Sequence, residues 1–315
     1  MLYYKFSDYL KKRYSAKVYK LPVNLPVTCP NRDGAISTCG CIFCGEEGAG
    51  FENLSPSMTV SEQLRINAEY IKAKYKPEKF IIYFQNFSNT YLPLEDFKNY
   101  ITEACVEVED LVAIYISTRP DCIYEEQLDF LNYVKNTYKI DILLELGLQT
   151  VNYKTLKFLN RGHTLAEFIN AVVLINKYGM ESCAHYIVDL PNDDIEDVIE
   201  GAKIISALRV NQVKCHSLYI LKNTILGDMY EKQLIKPVEL EEYIERIISF
   251  LEYLNPEIVV QRLIGRAPEE RTLFCNWGIS WWKIRDIIED KMIKENRYQG
   301  KYFNYLNGVK NIGSK

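Results

Sequence analysis

The 315-residue chain predicts an α/β fold built on a parallel sheet, as a full or partial barrel or as an open doubly wound sheet. Three observations carry this expectation. Strand-length apolar runs alternate with amphipathic stretches of roughly 10–15 residues, the signature of βαβ units. The runs are apolar nearly throughout, as in parallel strands covered on their outer face. Polar residues gather directly after each run, where such folds hold their ligands.

The first segment, Tyr3 to Tyr14, carries Phe6, Tyr9 and Leu10 at helical spacing, with Lys11, Lys12 and Arg13 at its dipole-favoured end. It is expected to cap the barrel mouth. Two extended pieces follow, Val18–Leu21 and Val23–Val27, and the second delivers Cys29. A helix over Ser61–Tyr75, with Ser61 as a candidate N-cap, leads to the strand Lys79–Phe84. The pattern then repeats: helix Leu94–Val108 and strand Leu111–Ile116, helix Glu125–Tyr138 and strand Ile142–Leu148, helix Leu165–Tyr178 and strand Cys183–Leu190, helix Ile195–Leu208 and strand Val213–Ile220. A further amphipathic helix, Val238–Leu254, precedes a candidate seventh strand, Glu257–Ile264. The expected organisation is an N-terminal helix over 1–17, a core barrel over 18–230, and a C-terminal extension over 231–315.

With 48% hydrophobic residues the chain can bury a sizeable core, and no run of about 18 apolar residues suggests a membrane span. The N-terminus breaks into charge without an apolar signal segment, so the expected location is cytoplasmic, with no membrane partner. A net charge of −4 gives no global attraction to nucleic acid, and any such binding must be local.

The strand ends present Gln85-Asn86, Ser117-Thr118-Arg119-Pro120-Asp121, Gln149-Thr150, Asp189–Asn192 and Leu221–Thr224, all expected on one face. Glu145 lies inside an apolar strand, where a lone carboxylate is costly unless hydrogen-bonded, so it should face the site. His185 and His216 also sit in strands and read as substrate contacts or as paired core residues. Arg119 and Asp121 read as an internal ion pair or as ligand contacts.

Nine cysteines in a long chain without a signal segment argue for reduced thiols, metal ligation or catalysis. Four of them, Cys29, Cys39, Cys41 and Cys44, fall in one Pro-, Asn-, Asp- and Gly-rich loop. A C-x2-C pair can ligate zinc or an iron–sulfur cluster. No second pair downstream completes a structural zinc site, whereas three thiolates with an open fourth position suit a [4Fe–4S] cluster. Cys39-Gly40-Cys41 leaves one intervening residue, which strains separate iron corners. The favoured metal set is therefore Cys29, Cys41 and Cys44, with any set using Cys39 as the alternative.

In Cys41-Ile42-Phe43-Cys44 the chain resembles the radical S-adenosylmethionine (radical-SAM) superfamily, whose usual signature is C-x3-C-x-aromatic-C. The first spacing departs, with eleven residues between Cys29 and Cys41. That longer form, headed by Cys29-Pro30-Asn31-Arg32-Asp33-Gly34, is similar to a subgroup related to the elongator catalytic subunit and including the YtqA-like (MnmL-type) proteins. Phe84–Tyr91, Thr118–Asp121, Glu145–Thr150, Asn160–Thr164 and Gln261–Gly265 resemble the same subgroup, so the likeness spans roughly residues 18 to 285.

The resemblance implies a partial (β/α)6 TIM-type barrel of the radical-SAM kind, with N- and C-terminal extensions, binding a [4Fe–4S] cluster and S-adenosylmethionine. One electron, from a donor such as flavodoxin or ferredoxin, would cleave the cofactor to a 5′-deoxyadenosyl radical. The resemblance gives Gln149 a hydrogen bond to the ribose and Arg161 a charge-assisted pair with the cofactor carboxylate. The candidate cofactor contacts are Gln85, Asn86, Ser117, Arg119, Glu145, Gln149, Arg161 and His185. No catalytic acid or base stands out.

The implied substrate is a tRNA wobble uridine, with carboxymethylaminomethyl converted to aminomethyl. The alternatives are a small metabolite or a protein substrate, or a non-catalytic iron–sulfur or zinc sensor. From Trp281 to Lys315, eight lysines and arginines face four acids, with Tyr298, Tyr302, Phe303 and Tyr305 interleaved. This tail suits RNA contact by phosphate pairing and stacking, or a solvated basic surface packed back on the core.

Overall fold

The computed structural model describes residues 1–45, 48 and 53–308. α1 (Phe6–Tyr14) is followed by β1 (Val18–Asn24), α2 (Val60–Tyr75), β2 (Lys79–Gln85), α3 (Leu94–Glu107), β3 (Leu111–Thr118), α4 (Glu125–Tyr138) and β4 (Asp141–Gln149). A short α5 (Tyr153–Phe158) leads to α6 (Leu165–Lys177), β5 (Glu181–Ile187), α7 (Ile195–Ala207), β6 (Gln212–His216), β7 (Ile220–Leu221) and α8 (Ile225–Glu231). The chain ends in α9 (Leu240–Tyr253), β8 (Val259–Arg262), β9 (Thr272–Phe274) and α10 (Trp281–Lys294).

Seven strands form one parallel sheet in the order β1-β2-β3-β4-β5-β6-β8, curled into a half-barrel, while β7 and β9 pair antiparallel. The candidate seventh strand is thus a member of the barrel sheet, paired to β6 from Gln212↔Val259 onward. β1 and β8 are its two edge strands, with no ladder across the seam between them, and the segment before α1 bridges to β8 at Lys5 and Val260. Pro22 sits on the β1 edge, where a missing N–H breaks no ladder bond, and the two extended pieces around it run as one strand.

Alternation along each strand sorts the two faces. Leu21, Ile82, Ile114, Leu144, Tyr186 and Val213 point outward into the core beneath the helices. Val18, Ile81, Tyr83, Tyr115, Leu143 and Cys183 point inward. The helices are set by local chemistry: Thr59 with Glu62, Thr164 with Glu167 and Asp194 with Asp197 form reciprocal capping boxes at the starts of α2, α6 and α7. The N-cap of α2 is Thr59, two residues before the expected Ser61.

α1 does not cap the mouth. Phe6, Tyr9, Leu10 and Tyr14 pack on the inward residues at the opposite, N-terminal end of the strands. Arg13 and Tyr14 each hold Asp141 at 2.8 Å, and Tyr9 donates to Glu181 at 3.1 Å, the residues that open β4 and β5. The reason is apolar: the lower barrel interior offers a hydrophobic floor, whereas the mouth is lined with charge. Across the seam, the Val260 N–H donates to the Tyr4 carbonyl at 2.8 Å and Gln299 accepts from the Tyr4 N–H at 2.8 Å. Among the described residues no helix is long and apolar enough to cross a membrane.

Candidate active site

The loop after β1 carries the four clustered cysteines, and its backbone is tied down rather than free. Arg32 N–H bonds the Cys29 carbonyl at 2.8 Å, Gly40 N–H bonds Asn31 at 2.7 Å and Cys44 N–H bonds Cys41 at 3.0 Å. The turn after α5 clamps it: the Asn31 amide donates to the Asn160 carbonyl at 2.6 Å, and the Asn160 amide donates to the Gly40 carbonyl at 2.7 Å. Gly40, at φ +70°, occupies the left-handed region that favours glycine. On either side of it Cys39 is exposed and Cys41 is buried.

Cys29, Cys41 and Cys44 line one cavity of about 470 Å³ at the C-terminal ends of the strands; Cys39 does not. Each of the three sulfurs faces a guanidinium. Arg119 Nη1 is 3.9 Å from Cys29 Sγ, Arg161 Nη1 is 3.5 Å from Cys41 Sγ, and Arg32 Nη1 is 3.9 Å from Cys44 Sγ. The Asn31 amide adds a donor 3.6 Å from Cys41. Burial pushes the Cys44 thiol up to about 11, with the neighbouring Cys41 adding to the effect.

Gln85, Asn86, Ser117, Arg119, Glu145, Gln149, Arg161 and His185 all line the same cavity. Arg119 is almost fully buried and grips Asp121 through two parallel bonds of 2.8 and 2.7 Å, so the internal ion pair is made while the remaining guanidinium nitrogen faces Cys29. Arg161 donates to the Gly147 carbonyl at 2.9 Å, and its buried Nε has no partner among the described residues. Asn86 donates to Asn24 at 3.1 Å while its own oxygen is unpartnered.

The backbone is strained at these strand ends. Asn86 and Phe87 have φ of +76° and +46°, and Gln149 has φ +72° just past an irregularity in the β4–β5 register. Such conformations cost of order 1–3 kcal/mol each and collect at functional sites. Asp189–Asn192 and Leu221–Thr224 do not reach the cavity: Asp189 is fully buried and accepts from the Leu218 N–H at 2.6 Å, which turns the end of β5 away.

Inside the barrel, Glu145 stands in a ring of donors. Lys20 lies 3.1 Å from Oε1; Lys214, His185 at 2.8 Å and Ser117 at 3.4 Å surround Oε2, and Gln261 donates to Oε1 at 3.2 Å. Burial alone would raise the Glu145 carboxyl, but Lys20 and Lys214 together hold it well below the usual carboxylate range. Burial, with Lys214 nearby, lowers Lys20 to about 8 despite Glu145, and lowers His185 to about 4. Lys20 also lies under three rings, 5.1 Å from Phe6, 4.6 Å from Tyr83 and 4.5 Å from Tyr115. Glu145, Cys183 and His185 bring three ligand atoms within 4.8 Å of one another. Two ammonium groups on that carboxylate oppose a further cation there.

Lys20, Lys214, Tyr83 and Gln261 were missed as site residues. The two lysines carry the signal used for Glu145, a charge inside an apolar strand, and it applied to them equally. A second cavity of about 840 Å³ runs along the seam between α1, β1 and β8, and shares Phe6, Lys20, Gln261 and Arg262 with the first. The tail divides. Arg297 is paired to Glu245 and Glu252, and Lys291 to Glu241 and Glu245, which fixes them on α9. Trp281 and Arg285 remain on the rim of the seam cavity. Lys310 and Lys315 lie outside the described residues.

A curled parallel half-barrel of this kind is the partial TIM-barrel fold of radical-SAM enzymes. Residues 23–205 match the radical SAM superfamily and residues 210–294 its C-terminal domain, and the chain belongs to that superfamily. It is 32% identical to the uncharacterised protein YtqA of Bacillus subtilis over 96% of this chain and 94% of that one. Over 158 residues, 49% of this chain and 28% of the other, it is 30% identical to a tRNA uridine(34) acetyltransferase of Methanocaldococcus jannaschii. The solved structure of Elp3 from Methanocaldococcus infernus shares the fold, with a TM-score of 0.69 at 19% identity. The likeness covers 90% of this chain and 64% of that one.

Proposed function

We propose that this radical-SAM enzyme holds a [4Fe–4S] cluster on Cys29, Cys41 and Cys44 and acts on a tRNA wobble uridine, converting a carboxymethylaminomethyl side chain to aminomethyl by breaking its N–CH2 bond, with the carboxymethyl carbons leaving as a separate two-carbon acid. The observation that carries the cofactor reading is the set of three thiols on one cavity, each faced by a guanidinium. As thiolates they gain a charge-assisted donor apiece. When bound, the cluster and S-adenosylmethionine supply reductive cleavage to a 5′-deoxyadenosyl radical, with the electron coming from a flavodoxin- or ferredoxin-type donor.

The chain's own residues bind and orient. Arg161, with an unpartnered buried Nε, is suited to a carboxylate, and Gln149, turned inward by its left-handed backbone, to a ribose hydroxyl. The open Asn86 oxygen, Gln85, Ser117 and Arg119 complete the wall around the same space, and Glu145 with His185 forms its floor. A Cβ on Gly147 would stand 2.5 Å from Arg161 Nη2 and 3.0 Å from Gln149 Nε2. Gly147→Ala is therefore expected to weaken S-adenosylmethionine binding by about 10–100-fold, the worth of one bond to a charged group, with iron content unchanged. Equal affinity by calorimetry on the reconstituted protein would remove Arg161 and Gln149 from the cofactor site.

The tRNA reading is supported by the relative whose name places its action on tRNA uridine 34, and by the basic and aromatic rim of the seam. Nucleoside analysis of tRNA from a strain lacking the gene tests it. Carboxymethylaminomethyluridine should accumulate, aminomethyluridine should disappear, and the purified protein with S-adenosylmethionine and a reductant should restore the latter. An unchanged wobble profile refutes the substrate.

A further inference from the structure

Among the described residues, seven cationic side chains line the mouth cavity against one carboxylate, Glu145. Most of them already have a task within the protein. Arg119 holds Asp121, Lys20 and Lys214 share Glu145, and Arg161 and Arg32 reach backbone carbonyls beside the thiols. Arg262 differs. It is exposed, lines both cavities, and has no carboxylate partner among the described residues.

Its fixed contact is His216, whose Nδ1 lies 2.6 Å from Arg262 Nη2. A guanidinium only donates, so that nitrogen must accept and the imidazole must be neutral. Burial, with Arg262 second, holds His216 well below the ordinary histidine range, in agreement. The His185 ring, 5.2 Å away, backs the pair. One edge of the guanidinium is thereby held by the barrel while its other N–H groups face open space at the junction.

We propose that Arg262, positioned by His216 and flanked by Lys20 and Gln261, is the receptor for a carboxylate on the substrate's reacting side chain. The inference rests on the tRNA reading and adds how the enzyme tells substrate from product. A planar guanidinium with free parallel donors matches a carboxylate in a bidentate pair. Its position selects the side chain over the RNA backbone: phosphates stay with the solvent-facing rim of Lys11, Lys17 and Trp281, whereas a wobble substituent entering the barrel passes the junction. The aminomethyl product has lost the anion and carries an ammonium, which faces Lys20, Lys214 and Arg262 unfavourably. The receptor therefore admits the substrate and favours release of the product.

Equilibrium binding of three anticodon stem-loop RNAs, alike except for a carboxymethylaminomethyl, an aminomethyl or no wobble substituent, tests this on reconstituted wild type, Arg262→Gln and Arg262→Lys. Wild type should prefer the carboxylated RNA by about tenfold or more, equivalent to about 1.4 kcal/mol. Arg262→Gln should bind all three alike, and Arg262→Lys should keep part of the preference because the charge remains without the fork. A preference that survives in Arg262→Gln overturns the assignment. Equal weakening of all three RNAs makes Arg262 a phosphate contact and overturns it too. Wild type that binds the three without preference removes the receptor and leaves the tRNA reading standing, whereas wild type that binds none removes both. Arg262 is exposed, and matching thermal transitions confirm that the variants are folded.

Discussion

Cys29→Ala, Cys41→Ala and Cys44→Ala should each retain less than about a tenth of the wild-type iron after anaerobic reconstitution, while Cys39→Ala should retain all of it. Loss of a neighbour that merely orients a ligand already costs about 10–100-fold in metal affinity, and loss of the ligand itself should cost more. The contrast between Cys39 and Cys41 is the sharp part. They are two residues apart, yet the left-handed turn at Gly40 leaves Cys39 exposed beside Thr38 and Cys41 buried against Arg161 and Asn31. Iron and sulfide assays with the charge-transfer absorbance of the cluster provide the readout. Collapse in Cys39→Ala with retention in Cys29→Ala would reverse the ligand set.

The second large effect is expected at Glu145. Glu145→Gln leaves Lys20 and Lys214 without their common counter-ion in the barrel interior, and removing one partner of a buried pair costs about 3–5 kcal/mol. Lys20 limits the loss, because a buried ammonium already lowered to about 8 gives up its proton rather than remain charged. The expected signature is a lowered thermal transition together with strong non-additivity: Lys20→Met combined with Glu145→Gln should be less destabilised than the sum of the single changes.

The pH dependence has a defined sign. The Glu145 carboxyl is held below its unfolded value, so its contribution is present above the ordinary carboxylate range and lost as pH falls through the folded value. Denaturation curves for wild type and variant should converge in strong acid. A change under about 1 kcal/mol at neutral pH would mean that Glu145 is not the keystone of the cluster.

Much of this was legible in the residues. The succession of apolar runs and amphipathic stretches, the polar strand ends and the crowding of cysteines needed no coordinates, because each is a local pattern with a local cause. What escaped has physical reasons. α5 and α8 are six and seven residues long, too short to show a helical period. Lys20, Lys214 and Gln261 come from three strands and meet only because the sheet curls. The placement of α1 depends on which end of the barrel is greasy, a property of the assembled interior. The pairing of Arg297 and Lys291 with α9 likewise turns much of a basic tail into internal structure.

The seam has a consequence for how the molecule is made. Its closing bonds join residues about as far apart as the chain allows, such as Tyr4 with Gln299, 295 positions away. A ribosome delivers the cysteine loop early and the sealing residues near the end, and contacts of such long range form last. Until the C-terminal segment is made, the backbone of Tyr4 lacks both of its partners, the Val260 N–H and the Gln299 side chain. The order of translation and the topology of the sheet together make the N-terminal segment one of the last parts of the fold to be secured.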